Sequence, residues 1–316
     1  MEASYLVLVA ILPIFLLIGS GTVARLVGWL DANADLSLMK VVVNLFYPAL
    51  IFSKILGNEV LRKPSNLIMP PLLGFCMVLI GFAVAWLAIR QLKNVTDAEG
   101  RTFAFITGIQ NSVYFGLPII ALLFNRETVG LMLVFNLGVE IAVWLIGVGF
   151  LLPQKGSRSL LKRLVSAPVV AIILATWMNY LGFDRELPDF ALKTVRLLGQ
   201  CAIPVGLMLI GALFADLKTN VKLFTRIDIT LLSIALRLAV LPLIYLLSTF
   251  FLPISVELER VIVVQAAMPC AVFPIVLAQH YGGSSDVALK VVLSTTFVSI
   301  LTIPFWIKAG IALLGL

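Results

Sequence analysis

Two stretches of the sequence place polar residues and prolines inside otherwise apolar runs. The first reads Thr107-Gly108-Ile109-Gln110-Asn111-Ser112-Val113-Tyr114-Phe115-Gly116-Leu117-Pro118, three polar side chains in a row followed by a Gly-x-Pro break. The second reads Gln265-Ala266-Ala267-Met268-Pro269-Cys270-Ala271-Val272-Phe273-Pro274, with two prolines five residues apart. Proline lacks an N–H and its ring collides with the preceding turn, so neither run forms an uninterrupted helix. In hydrocarbon the freed backbone groups need protein, water or a ligand as partners. Half-helix N-termini present unpaired N–H groups and partial positive charge, which suit a carboxylate or another small anion. Kinked helices without a ligand are the plainer alternative. Two charges also stand deep in apolar runs, Glu140 and Arg237. A carboxyl there is costly unless paired or protonated. Glu140 is therefore open to three roles: half of an ion pair with Arg237, its expected partner, a proton carrier, or a substrate contact. Asn136, one helical turn earlier on the same face, either shares the cavity or holds helices together.

The elements that must position these residues follow from composition. The chain is 61% hydrophobic and 12% charged over 316 residues, against about 25% charged in soluble domains. A soluble globular protein is excluded. At about 20 apolar residues per crossing the length fits about ten spans with short loops and no sizeable aqueous domain. Apolar runs fall at 5–27, 38–56, 66–89, 102–124 and 129–152, then at 166–182, 190–214, 227–251, 259–280 and 286–314. The polar stretch from Pro153 to Arg163 divides two sets of five, so the expected halves are 1–155 and 156–316. The start Met1-Glu2 lacks the basic region of a cleaved signal peptide, and the run after it is read as the first span. The expected fold is all-α and integral to the membrane, with ten transmembrane helices.

The halves share landmarks. Asn44 stands four residues before Pro48 and Gln200 four before Pro204; Pro48 and Pro204, like Pro118 and Pro274, are 156 residues apart. Five spans per repeat is an odd number, so the second copy enters the membrane from the opposite side, an inverted repeat common among secondary transporters. The net charge of +7 belongs to loops and orientation rather than to nucleic acid. One side collects twelve basic residues: Arg25, Lys40, Arg90, Lys93, Arg101, Lys155, Arg158, Lys162, Arg163, Lys218, Lys222 and Arg226. The other collects nine: Lys54, Arg62, Lys63, Arg126, Arg185, Lys193, Arg196, Arg260 and Lys308. That bias places both termini outside and the central loop in the cytoplasm. Trp29, Trp86 and Trp306 near span ends suit interfacial anchors.

Other features point away from chemistry. Cys76, Cys201 and Cys270 are scattered and His280 is the single histidine, so no disulfide framework, metal site or cofactor is expected. Asp31 and Asp35 read as a solvated loop and His280 as an interfacial loop residue. Without HExxH, GxSxG or a phosphate-binding Gly loop, a protease, a lipid hydrolase and an ATP-driven pump lose support. An intramembrane enzyme acting on a lipid-linked substrate is the alternative class to a carrier, and a channel is a third.

Asn111-Ser112-Val113-Tyr114-Phe115-Gly116-Leu117-Pro118, Gln265-Ala266-Ala267-Met268-Pro269 and Pro274-Ile275-Val276-Leu277-Ala278-Gln279-His280-Tyr281 closely resemble the broken helices of the auxin efflux carrier family. That family includes the plant PIN-formed carriers and bacterial malate or malonate carriers, and is distantly similar to bile acid sodium symporters. The resemblance extends to Pro48 and, less sharply, to the whole chain, which lacks the long central loop of many plant members. It implies two inverted five-helix repeats in which spans one, two, six and seven form a scaffold, often dimeric. The remaining spans form a mobile transport domain in which broken helices four and nine cross. It also implies a small organic anion, such as auxin, malate or malonate, bound at the crossing and moved by an elevator-like shift across the plasma (inner) membrane. The substrate-contacting residues so implied are Asn111, Ser112, Tyr114, Pro118, Gln265, Met268, Pro269 and Pro274, with Asn136 and Glu140. Asn111 is the foremost hydrogen-bond donor to a carboxylate, or else a cap of the broken helix. Glu140 stands where plant members have a substrate-contacting glutamine; with Arg237 it is the coupling candidate, a proton being the candidate ion. Gln265 stands where sodium-coupled relatives have a carboxylate, which disfavours Na+.

Overall fold

Apolar segments become helices because hydrocarbon offers a backbone no partner and a helix closes its own hydrogen bonds. The structure, a computed structural model, describes residues 2–151, 166–183, 187–217 and 226–316. The polar stretch between the halves, with the boundary expected at 155/156 and Lys155, Arg158, Lys162 and Arg163, lies outside the described residues, as do Arg185, Lys218 and Lys222. The helices are α1 (Glu2–Leu26), α2 (32–55), α3 (Ser65–Ile89), α4 (Asp97–Gly108), α5 (112–123) and α6 (126–151). They continue with α7 (Ala167–Leu181), α8 (Asp189–Leu217), α9 (227–249), α10 (Val256–Ala267), α11 (Phe273–Tyr281) and α12 (Ser285–Leu314). No β-strand occurs among the described residues. Among the described residues, six helices are long and apolar enough to cross a membrane, in α2, α3, α6, α8, α9 and α12. Leu12–Leu26, Ser112–Leu123 and Ala167–Leu181 are shorter apolar helices. The outer face of α12 carries Phe297, Leu301 and Phe305, 61%, 78% and 62% exposed, a stripe suited to lipid and not to water.

Caps, not hydropathy, set where several helices begin. Asp31 caps α2 by accepting from the Ala34 N–H at 2.7 Å, and Asp35 pairs with Arg25, which also reaches Asp216 at 3.1 Å. The two acids expected in a solvated loop thus start a helix and fasten it to α1 and α8. Helix α4 starts at Asp97, ahead of its apolar run, because Thr96 and Glu99 form a capping box. His280 falls in the last turn of α11 rather than in a loop. Trp306 is no simple anchor either: its indole N–H donates to the Leu238 carbonyl at 2.6 Å.

Prolines shape the interior of three helices. Val42–Phe46 precedes Pro48, Ser112–Gly116 precedes Pro118 and Leu236–Val240 precedes Pro242, and each segment is π-helical. The residue ahead of each proline donates five residues back, from Tyr47 to Val42, Leu117 to Ser112 and Leu241 to Leu236. The wider turn makes room where the proline ring would strike an α-helical carbonyl. Pro204 by contrast sits within the α-helical run of α8, so it and Pro48 differ locally.

Glycine seams fix which helices lie together. A Cβ at Gly21 of α1 would lie 1.9 Å from the Met208 carbonyl oxygen of α8, and one at Gly211 of α8 would lie 1.8 Å from that of Ile18. The same reciprocal contact joins α3 and α6: Gly74 against the Phe135 carbonyl at 2.3 Å and Gly138 against that of Pro71 at 1.7 Å. Backbones this close pack by dispersion, which must hold helices together where lipid is as apolar as the side chains. At the end of α2, fully buried Asn179 of α7 accepts from the N–H groups of Gly57 (2.8 Å) and Asn58 (3.2 Å) and donates to the Asn58 carbonyl (2.9 Å). Asn179→Ala strands all three and is expected to cost about 3 kcal/mol. The midpoint of thermal unfolding in detergent measures this, and Asn179→Asp, which keeps the acceptor, loses less.

Candidate functional site

The two interrupted helices meet at their breaks. Helix α4 ends at Gly108 and α5 begins at Ser112; α10 ends at Ala267 and α11 begins at Phe273. Between them the chains run antiparallel, with Gln110 opposite Cys270. The Asn111 N–H donates to the Pro269 carbonyl at 2.9 Å and the Ala271 N–H to that of Ile109 at 3.0 Å. Thr295 of α12 supports the pair by accepting from the Cys270 N–H at 3.3 Å. The break therefore lies seven residues before Pro118, not at the Gly116-x-Pro118 step where the sequence suggested it. Pro118 makes the π-helical start of α5, while strand pairing with the second segment extends residues 109–111. In the second helix the break coincides with Pro269, and Pro274 opens α11 as Pro118 opens the α-helical part of α5.

The N-termini of α5 and α11 open on two adjoining cavities. A smaller one of about 70 Å³ is lined by Gln110, Asn111, Ser112, Tyr114, Asn136, Glu140 and Pro274, among others. A larger one of about 160 Å³ shares Val113, Tyr114, Glu140 and Phe273 with it and adds Tyr47, Leu50, Trp144, Ala202 and Ile203. Polar groups therefore gather at the crossing and aromatic and aliphatic groups beyond it. Among the described residues lining either cavity, Glu140 is the one charged side chain. Its carboxylate accepts from the Trp144 indole N–H at 3.1 Å.

Several buried polar atoms here make no hydrogen bond among the described residues: Nδ2 of Asn111, Oγ of Ser112, Nε2 and Oε1 of Gln110 and the Tyr47 hydroxyl. An unsatisfied buried group costs about 1–3 kcal/mol. The four atoms of Gln110, Asn111 and Ser112 gather at the smaller cavity, a surface prepared for a polar partner.

Six of the sequence-derived site residues share the smaller cavity: Asn111, Ser112, Tyr114, Asn136, Glu140 and Pro274. Pro118, Gln265, Met268 and Pro269 line neither cavity. Gln265 turns toward α5, where a Cβ at Gly116 would lie 2.7 Å from its Nε2, and Met268 and Pro269 contribute backbone carbonyls to the crossing. The expected ion pair between Glu140 and Arg237 is absent. Fully buried Arg237 donates from Nε to the Met268 carbonyl at 2.9 Å and from Nη2 to that of Gln265 at 3.4 Å. Backbone carbonyls freed by the second break satisfy the guanidinium instead of a carboxylate. Sequence reasoning missed Gln110, Tyr47 and Trp144 as lining residues. Gln110 stood beside Asn111 in the polar triplet, Tyr47 beside Pro48, and Trp144 one turn after Glu140.

Comparison with known proteins gives the family. The profile of the membrane transport protein family matches residues 6–161 and 155–307. An uncharacterized transporter of Methanocaldococcus jannaschii is 22% identical over 301 residues, covering 94% of this chain and 96% of the relative. An uncharacterized transporter of Methanothermobacter thermautotrophicus is 24% identical over 300 residues, with the same coverage of 94% and 96%. Crossed helix breaks, lipid-suited surfaces and a match across nearly the whole length lead to one assignment: this multi-pass membrane chain belongs to the membrane transport protein family, that of the auxin efflux carriers.

Proposed function

We propose that the protein is a secondary carrier of small organic anions, with the solute's carboxylate held at the crossing by Asn111. The observation that carries this reading is the buried, unpartnered Asn111 Nδ2 beside the N-termini of α5 and α11. An amide donor and two positive helix ends suit a carboxylate without adding a fixed charge to the cavity. The aromatic and aliphatic walls of the larger cavity, with Tyr47, Trp144 and Phe273, suit an acid with an apolar body better than a dicarboxylate. Ten spans in two inverted five-helix repeats fit the paired breaks. The glycine seams, one joining α1 to α8 and one joining α3 to α6, support a scaffold containing α1, α2, α7 and α8 and a mobile group built from the remaining helices, moving as an elevator; the scaffold is also the proposed dimer contact. The carrier so proposed works in the inner membrane, with both termini outside.

The test is counterflow in proteoliposomes of labelled indole-acetate, malate and malonate, each against its unlabelled form. Saturable exchange is expected, strongest for indole-acetate. Asn111→Ala removes a hydrogen bond to a charged group, about 1.5–3 kcal/mol, and lowers exchange about 10- to 100-fold. If folded wild-type protein exchanges none of the three at any pH or sodium gradient, the organic-anion reading fails.

A further inference from the structure

Arg237 is the largest fully buried side chain among the described residues, and no carboxylate lies within ion-pair distance of it. What faces it is the C-terminal end of the half-helix α10. The last carbonyls of any helix lack intrahelical donors, and the aligned peptide dipoles give that end a partial negative charge. The Gln265 carbonyl is one of those last groups, accepting from the backbone only a 3.3 Å bond from the N–H of Met268, the capping residue. Both point their oxygens at the guanidinium, which keeps Nη1 without a partner, and the Tyr245 ring lies 5.9 Å from its centre. One residue beyond Met268, the Pro269 carbonyl holds the Asn111 N–H. The guanidinium thus steadies the segment that sets Asn111 in place.

We propose that Arg237 is a tethered cation: its charge fills the site that the carbonyls of the second break would otherwise offer to a free monovalent cation. It is a positioning residue for Asn111 and touches no solute. This goes beyond the carrier reading and does not depend on which solute is carried.

The experiment is thermal unfolding of the purified full-length protein in neutral detergent at constant ionic strength. Wild type and Arg237→Lys are expected to unfold at the same temperature in choline and in sodium chloride, since the site is already filled. Arg237→Ala leaves the buried Met268 carbonyl unsatisfied and that of Gln265 with only its 3.3 Å bond from the Met268 N–H, and is expected to unfold about 5–10 °C lower in choline. Guanidinium at about 5 mM, too dilute to denature, is expected to restore about half of that loss by mass action. Sodium is expected to restore a smaller part, and urea, the neutral isostere, none. A role in packing alone predicts equal rescue by urea and guanidinium, which overturns the proposal. So does rescue by neither cation, or sodium-specific stabilisation of wild type. If Arg237→Ala yields no folded protein, Arg237→Gln takes its place, and failing both, the wild-type and Arg237→Lys comparison decides. No arm involves transport, so failure here is distinct from failure of counterflow.

Discussion

Gly138→Val is expected to leave no folded protein. At an open helical position a glycine replaced by alanine gains up to about 1 kcal/mol from helix propensity. Gly138 reverses that sign, because its Cβ would come 1.7 Å from the Pro71 carbonyl oxygen and 2.8 Å from the Phe75 nitrogen. Both are backbone atoms of α3, which no rotamer change moves aside. Separating α3 from α6 also undoes the contact of Gly74 with Phe135, so the loss exceeds the roughly 4–5 kcal/mol that marks an exceptional substitution. Monodispersity on size exclusion after extraction measures it. Gly19→Ala, on the outer part of α1 with nothing within 4 Å of its Cβ position, is the matched control and extracts like wild type. A monodisperse, wild-type-like Gly138→Val protein would show that the α3–α6 seam is not as drawn.

Glu140→Gln is expected to change transport as much as Gly138→Val changes folding. Glu140 lines both cavities, and the described lining residues include no cation to offset it. Two negative charges about 5 Å apart at an effective dielectric of about 20 repel by about 3 kcal/mol, about a hundredfold in affinity. On the proposed carrier reading, a bound carboxylate and an ionised Glu140 would exclude each other, and binding of the anion is expected to be linked to a proton on Glu140. Wild-type KM for counterflow should rise as pH rises and Glu140 ionises. Glu140→Gln keeps the shape and the acceptor for Trp144, and should hold KM low and flat, up to about 100-fold below wild type at the alkaline end. Parallel pH profiles in the two proteins would remove Glu140 from coupling.

Much of the architecture was legible because two physical signals are local. Apolar run length places the membrane-crossing helices, and proline marks where they cannot be regular. Both signals found α4, α5, α10 and α11 and the residues Asn111, Ser112 and Pro274. The rest was set by contacts between distant segments. The break at Ile109–Asn111 lies seven residues before Pro118 because Pro269 and Ala271, far along the chain, pair with it. Arg237 reads as a partner for the other buried charge, yet it serves carbonyls that become available only once the second helix breaks. Gln265 looked like a ligand by position but faces Gly116 across α5. Charge and polarity are written in the sequence; which buried partner a group meets is written in the crossing.

The π segments ahead of Pro48, Pro118 and Pro242 bear on how these helices aim their side chains. One such turn spends a residue that a regular helix would not, so everything beyond it is rotated by about 100° relative to an unbroken α-helix. In α2 the face so turned includes Tyr47 and Leu50, which line the larger cavity. Straightening Val42–Phe46 into a regular α-helix with the same number of residues would swing Tyr47 and Leu50 by about 100° around the axis, whereas deleting one residue there lets the turn become α-helical with both still facing the cavity. The bore of the cavity is thus a matter of residue count as well as residue type: the number of residues and the kind of turn must match for Tyr47 and Leu50 to stay on the lining.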